Sequence, residues 1–132
     1  MVGEIDLDKL LALLQPRLLE GEFVFCSIPA VPLGELEALQ PLACYHEEEG
    51  LSLLLRRPSA DAAGIRYNFV SRCITLSVHS SLDAVGFTAA VSNKLATHGI
   101  PANVVAAFYH DHVFVPAEQA DQALRLLTEF ER

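Results

Sequence analysis

Apolar and polar residues alternate strictly from Cys73 to His79, which puts Ile74, Leu76 and Val78 on one face of a half-buried strand. The period then changes. Ala84, Phe87, Thr88, Val91 and Leu95 recur at helical spacing and Gly99 stands where a C-cap glycine belongs, so a helix is predicted over 84–98. Two apolar strands follow, Ala102 to Phe108 and Val113 to Val115, with a turn through Tyr109-His110-Asp111-His112. Pro116 opens a last helix whose core face is Ala120, Ala123, Leu124, Leu127 and Phe130. Strand, helix, strand, strand, helix is the order of a ferredoxin-like α+β unit, βαββαβ, an antiparallel sheet with helices on one face. Such a unit needs a fourth strand, and the sequence places none after its last helix. The strand is expected from the first half, with Phe23 to Ile28 the candidate, or from another subunit.

The first half carries the same signals more faintly. Leu7, Leu10, Leu11 and Leu14 make one helical stripe behind Asp6, with Pro16 as its limit. Phe23 to Ile28 is rich in aromatic and β-branched types and reads as a strand stopped by Pro29. A helical turn or two is expected in Gly34 to Leu39. Leu42 to His46 and Leu51 to Leu55 flank Glu47-Glu48-Glu49-Gly50, a hairpin with Gly where positive φ is often required. Pro58 to Gly64 has the proline-first, glycine-last form of a short helix. Two units are expected, 1–66 and 67–132, the first with the leading helix.

Composition narrows the function. The chain has 132 residues, 52% hydrophobic and 20% charged, enough apolar material for a packed core. Its net charge is −8 with only nine Lys and Arg, so nucleic acid and anionic membrane surfaces are not expected partners. No apolar run approaches the roughly 20 residues of a membrane span, and the acidic start lacks the basic region of an export signal. The cytoplasm is the expected compartment. Cys26, Cys44 and Cys73 match no zinc or redox spacing and read as buried thiols.

The run from Ile74 to Val91, a strand, the turn Asp83-Ala84-Val85-Gly86 and an amphipathic helix, resembles the opening of an ACT domain. Leu95 to Val105 resembles that family's helix end and second strand. From about residue 4 to 130 the chain is similar to short bacterial proteins with two ACT-like units. Asn103-Val104-Val105-Ala106 followed by His110 to Pro116 is the shared signature, and the same subfamily includes cytosolic arginine-sensing proteins. The family's turn usually has Pro where Val85 stands here. The resemblance implies a regulatory, non-catalytic module that binds a small molecule, commonly an amino acid, and pairs as a homodimer without a cofactor. By position it makes His79, Ser80, Ser81, Leu82, Asp83, Val85 and Gly86 one wall of the ligand site, and Asn103 and Val104 the other. Asp111 is the acid placed to hold a cationic ligand side chain.

The residues themselves suit this reading and a plainer one. Gly86 would let a ligand approach the first helical turn, whose free N–H groups favour a carboxylate. Asp83 would answer an ammonium group or cap the helix, and Ser81 or Asp83 as N-cap leaves nothing to bind. Asn103 in an apolar strand is either a ligand contact or a structural hydrogen bond. His110-Asp111-His112 has the spacing of a strand chelate, but it falls where the hairpin turns and no third ligand is fixed, so no metal is expected. No nucleophile elbow, phosphate loop or acid–base pair is visible, which argues against an enzyme. The alternative function is a structural or protein-interaction module without a ligand.

Overall fold

The computed structural model describes residues 7–77 and 85–131. They form two compact units: one from the described residues up to Glu20 together with those from Arg72 on, the other Gly21–Ser71.

In the Gly21–Ser71 unit, strand β2 (Phe23–Ile28) pairs antiparallel with β4 (Gly50–Arg56), and β4 pairs with β3 (Ala43–Glu47). The first residues of β5 (Val70–Leu76) close the unit, with Phe23 opposite Ser71 and Val24 opposite Val70. The order β3, β4, β2, β5 is that of a ferredoxin-like sheet. Helix α2 (Leu33–Leu36) with its 3₁₀ turn Glu37–Leu39, and α3 (Arg57–Ala62), complete the βαββαβ pattern. Val24, Cys26, Leu51, Leu53 and Leu55 project into its core against Leu36 and Ala60. These are alternate positions on one face, but Phe23 and Leu54 on the opposite face are buried as well, and in β5 Cys73 and Thr75 are as buried as Ile74 and Leu76, so that strand is not half-buried as expected. The β3–β4 turn falls at Glu48 and Glu49 as expected, and Gly50 has φ +143°. Gly50 meets a further demand that the sequence does not announce: an added Cβ would stand 2.3 Å from the backbone oxygen of Ile28. Gly64, past the end of α3, takes the left-handed φ of +69°.

The other unit has the order β1, β5, β7, β6. β1 is Arg17–Leu18, β6 Asn103–Ala106 and β7 Asp111–Pro116. Helix α4 (Phe87–Ala96) and α5 (Ala120–Thr128) pack on the sheet with α1 (Leu7–Ala12). Leu10 and Leu14 are fully buried among Ile74, Leu76, Val91, Leu95, Val113 and Leu127. Each such side chain contributes about 1.5–3 kcal/mol of burial free energy. The leading helix therefore shares a core with the second half of the sequence.

Several expectations change here. The closing strand beside β5 in this unit is Arg17–Leu18, with Arg17 opposite Thr75 and Leu18 opposite Ile74, and not Phe23 to Ile28. Two residues are too few to read as a strand from periodicity. They are held by Leu19 N–H donating to the Cys73 carbonyl and by the Arg72 guanidinium donating to the Leu19 carbonyl, both 2.9 Å. Next, α4 begins at Phe87 rather than Ala84, because Gly86 is the N-cap residue with φ +86°. Last, the β6–β7 turn is the pair Phe108 and Tyr109, closed by Ala107 N–H donating to the His110 carbonyl at 3.0 Å. Asp111 and His112 therefore lie inside β7 and not in the turn. The Cys44 thiol is another correction: it is exposed, whereas Cys26 and Cys73 are buried as expected.

Candidate functional site

The start of α4 and the strand β6 carry the described part of the expected ligand site. His79, Ser80, Ser81, Leu82 and Asp83 lie outside the described residues. Val85 is 87% exposed and Gly86 is partly buried, with an added Cβ meeting the Leu7 side chain at 3.5 Å, an ordinary contact. The cap at Gly86 uses no side-chain hydrogen bond, so the helix takes its first residue from backbone conformation. Among residues 85–131, this assigns the N-cap to Gly86 and not to a serine or aspartate. Leu7 beside it belongs to α1. Only the leucine stripe pointed to that helix, and nothing in the sequence placed it at this position.

Asn103 and Val104 open β6, opposite Phe114 and Val113. Paired residues share a face, so Asn103 lies with Phe114 and Val105 with His112, while Val104 lies with Val113 and packs against the core. Asn103 is exposed. Asp111 pairs with Ala106 at the far end of the strand pair, three residues along from Asn103, and is 7% exposed. Burial pushes its carboxyl above the usual aspartate range, against the smaller opposing pull of His112 and His110. The structure thus brings Asn103 and Val104 together, sets Asp111 at the other end of the same hairpin, and holds Val85 and Gly86 on a separate element.

His110 and His112 have ring centroids 6.3 Å apart, at 68°. His112 Nδ1 lies 3.0 Å from the hydroxyl of Thr75, a buried residue. The Cys73 sulfur lies 3.9 Å from the same hydroxyl. Desolvation lowers the His112 pKa, with His110 adding to the effect and Asp111 opposing it. His112 is therefore anchored to β5. Among the described residues no three His, Cys, Asp or Glu side chains gather as metal ligands would.

The Gly21–Ser71 unit has a polar cluster that sequence reading missed. Arg57 Nη1 donates to Glu22 Oε1 at 2.8 Å and Arg57 Nε to the Tyr67 hydroxyl at 2.9 Å. The Tyr67 hydroxyl donates in turn to Asp61 Oδ1 at 2.6 Å. These hydrogen bonds, Glu22 first, push the Arg57 pKa still higher. The four residues are spread over 46 positions of sequence, and only the Arg57–Asp61 helical spacing was readable in advance.

Two ferredoxin-like units, each an antiparallel sheet with helices, define a tandem α+β module of the regulatory ligand-binding type. The chain belongs to the ACT domain family: residues 2–72 match one ACT domain model and residues 68–129 a second. It is similar over 96% of both chains, at 46% identity and a TM-score of 0.87, to a Vibrio cholerae protein of unknown function described as a possible transport protein. An Agrobacterium tumefaciens protein shares the fold at 19% identity and a TM-score of 0.69, covering 88% of this chain and 87% of its own. So does the regulatory subunit of aspartate kinase from Thermus thermophilus, at 13% identity and a TM-score of 0.63, covering 92% of this chain and 99% of its own. No curated protein sequence matches the chain. ACT domains are regulatory, ligand-binding modules rather than catalytic ones. No helix among the described residues is long and apolar enough to cross a membrane.

Proposed function

We propose that this chain is a non-catalytic sensor that binds a free amino acid and acts through a change in its own assembly or in a partner. The observation that carries this is membership of the ACT family over both halves, with the fold of an aspartate kinase regulatory subunit. The proposed contacts are His79 to Asp83, Val85 and Gly86 on the strand-to-helix loop, and Asn103 and Val104 on β6. Asp111 would select a cationic side chain, and the resemblance to arginine-sensing proteins makes arginine the first ligand to try. The units are proposed to divide near residues 66 and 67 as family repeats. A homodimer in the cytoplasm is the proposed working form.

The test is a thermal-shift screen of the intact chain against the twenty amino acids at millimolar concentration. A ligand at 100 times its Kd stabilises the folded state by about 2.7 kcal/mol, a shift well above noise. No shift with any of them counts against the reading. Asn103→Ala, an exposed substitution, should weaken binding without lowering the ligand-free melting point. Gly86 is a poorer probe, because its positive φ makes any side chain there cost about 1–2 kcal/mol whether or not a ligand binds.

A further inference from the structure

In the Gly21–Ser71 unit a cleft of about 680 Å³ is lined by Gly21, Glu22, Arg56, Arg57, Pro58 and Asp61. Its volume is within the range of small-molecule sites. The cleft lies at the start of α3, with Gly21 and Glu22 just before β2 and Arg56 at the end of β4 completing its wall.

The charges on its wall are not equally engaged. Arg57 is neutralised at 2.8 Å by Glu22 and held by Tyr67. Asp61 stands 3.9 Å from the Arg57 Nε, is 56% exposed at its side chain, and is oriented by the Tyr67 hydroxyl. Arg56 has its guanidinium carbon 5.5 Å from the Phe23 ring centroid, and among the described residues no carboxylate pairs with it. Arg56, with no carboxylate partner, and Asp61, whose ion pair with Arg57 is long at 3.9 Å and whose side chain is more than half exposed, are the cation and the anion open to the cleft, each beside an aromatic side chain. A simple anion would meet the carboxylates of Glu22 and Asp61, and a simple cation would meet two guanidiniums. A molecule with both charges is complementary to the wall as a whole.

We infer that this cleft binds a small zwitterion, with its carboxylate on Arg56 and its ammonium group on Asp61. A free amino acid and a short peptide share this chemistry. The inference is independent of the loop around Gly86, and the two sites can fail separately.

The experiment is a titration of the intact, isotope-labelled chain followed by NMR, with alanine, dialanine, propionate and ethylamine as four separate probes. Saturable shifts of the Gly21 and Arg57 amides and of the Arg56 Nε–H signal are expected with alanine, dialanine or both. Which of the two binds more tightly tells the amino acid from the peptide. Propionate and ethylamine should bind at least tenfold more weakly. Arg56→Met should weaken the zwitterion at least tenfold, and Arg56→Lys should restore part of the affinity. If Arg56→Met disturbs the spectrum at large, Asp61→Asn asks the same question at the ammonium end. Equal response to propionate, an unchanged affinity in these variants, or shifts confined to Val85, Gly86 and Asn103 would overturn the proposal. The last outcome would leave the loop site standing, while shifts confined to the cleft would remove the loop site and keep this one.

Discussion

Gly50→Ala separates two costs that a glycine can hide. At φ +143° any L side chain is strained, and a left-handed residue costs about 1–2 kcal/mol. Gly64 at φ +69° bears that cost alone, since nothing lies within 4 Å of an added Cβ. At Gly50 the new methyl would sit 2.3 Å from the Ile28 oxygen, against the 3.0 Å below which such contacts essentially never occur. Relief requires a shift of about 0.7 Å in backbone that is paired on both sides of β4, with Ile28 opposite Leu51 and Glu47 opposite Gly50. Forced overpacking of this kind costs roughly 1–3 kcal/mol more. Urea denaturation followed by circular dichroism should therefore show Gly64→Ala losing about 1–2 kcal/mol and Gly50→Ala roughly 2–5 kcal/mol. Both glycines are in the same compact unit, so the comparison is direct. If Gly50→Ala were no worse than Gly64→Ala, the close approach of β2 to the β3–β4 turn would be wrong.

Three further outcomes are expected. Leu10→Ala should cost about 2–5 kcal/mol in the same denaturation assay, because the side chain is fully buried in the core it shares with α4 and α5; a loss under 1 kcal/mol would mean α1 is not docked there. In the native protein one thiol, Cys44, should react quickly with an aromatic disulfide reagent, while Cys26 and Cys73 wait for unfolding, since burial both hides them and raises their pKa. Two fast thiols would contradict this burial. The lowered pKa of His112 means that the folded state binds its proton less readily than the unfolded chain does. Its contribution to stability is present above the ordinary value of 6.5 and is lost as pH falls below that value toward the folded pKa. Urea midpoints at pH 7.5 and 5.5 should differ less in His112→Gln than in the parent chain, and an unchanged difference would refute the assignment.

The α+β class, the order of elements and most core positions are legible in the sequence because they rest on local periodicity. Ile74 and Leu76 alternate with Cys73 and Thr75, and Phe87, Val91 and Leu95 follow the helical period, wherever their partners come from. The candidate loop was legible only through resemblance, and the sequence left Ser81 and Asp83 open as caps, whereas α4 is capped at Gly86. Serine and aspartate are the common N-cap residues, but a backbone turn at positive φ can start a helix without them.

What the tertiary structure alone decided is which distant segments meet. Arg17 and Leu18 close the sheet of the second half, a role that two residues cannot advertise because a strand edge is completed by backbone hydrogen bonds that any sequence can make. Glu22, Arg57, Asp61 and Tyr67 converge for the same reason: an ion pair has no sequence period, and only the chain's path brings its partners within reach. The sequence by itself determined that this protein would build ferredoxin-like antiparallel sheets with helices. The fold determined how those sheets are closed, and where charged groups are left open to a ligand.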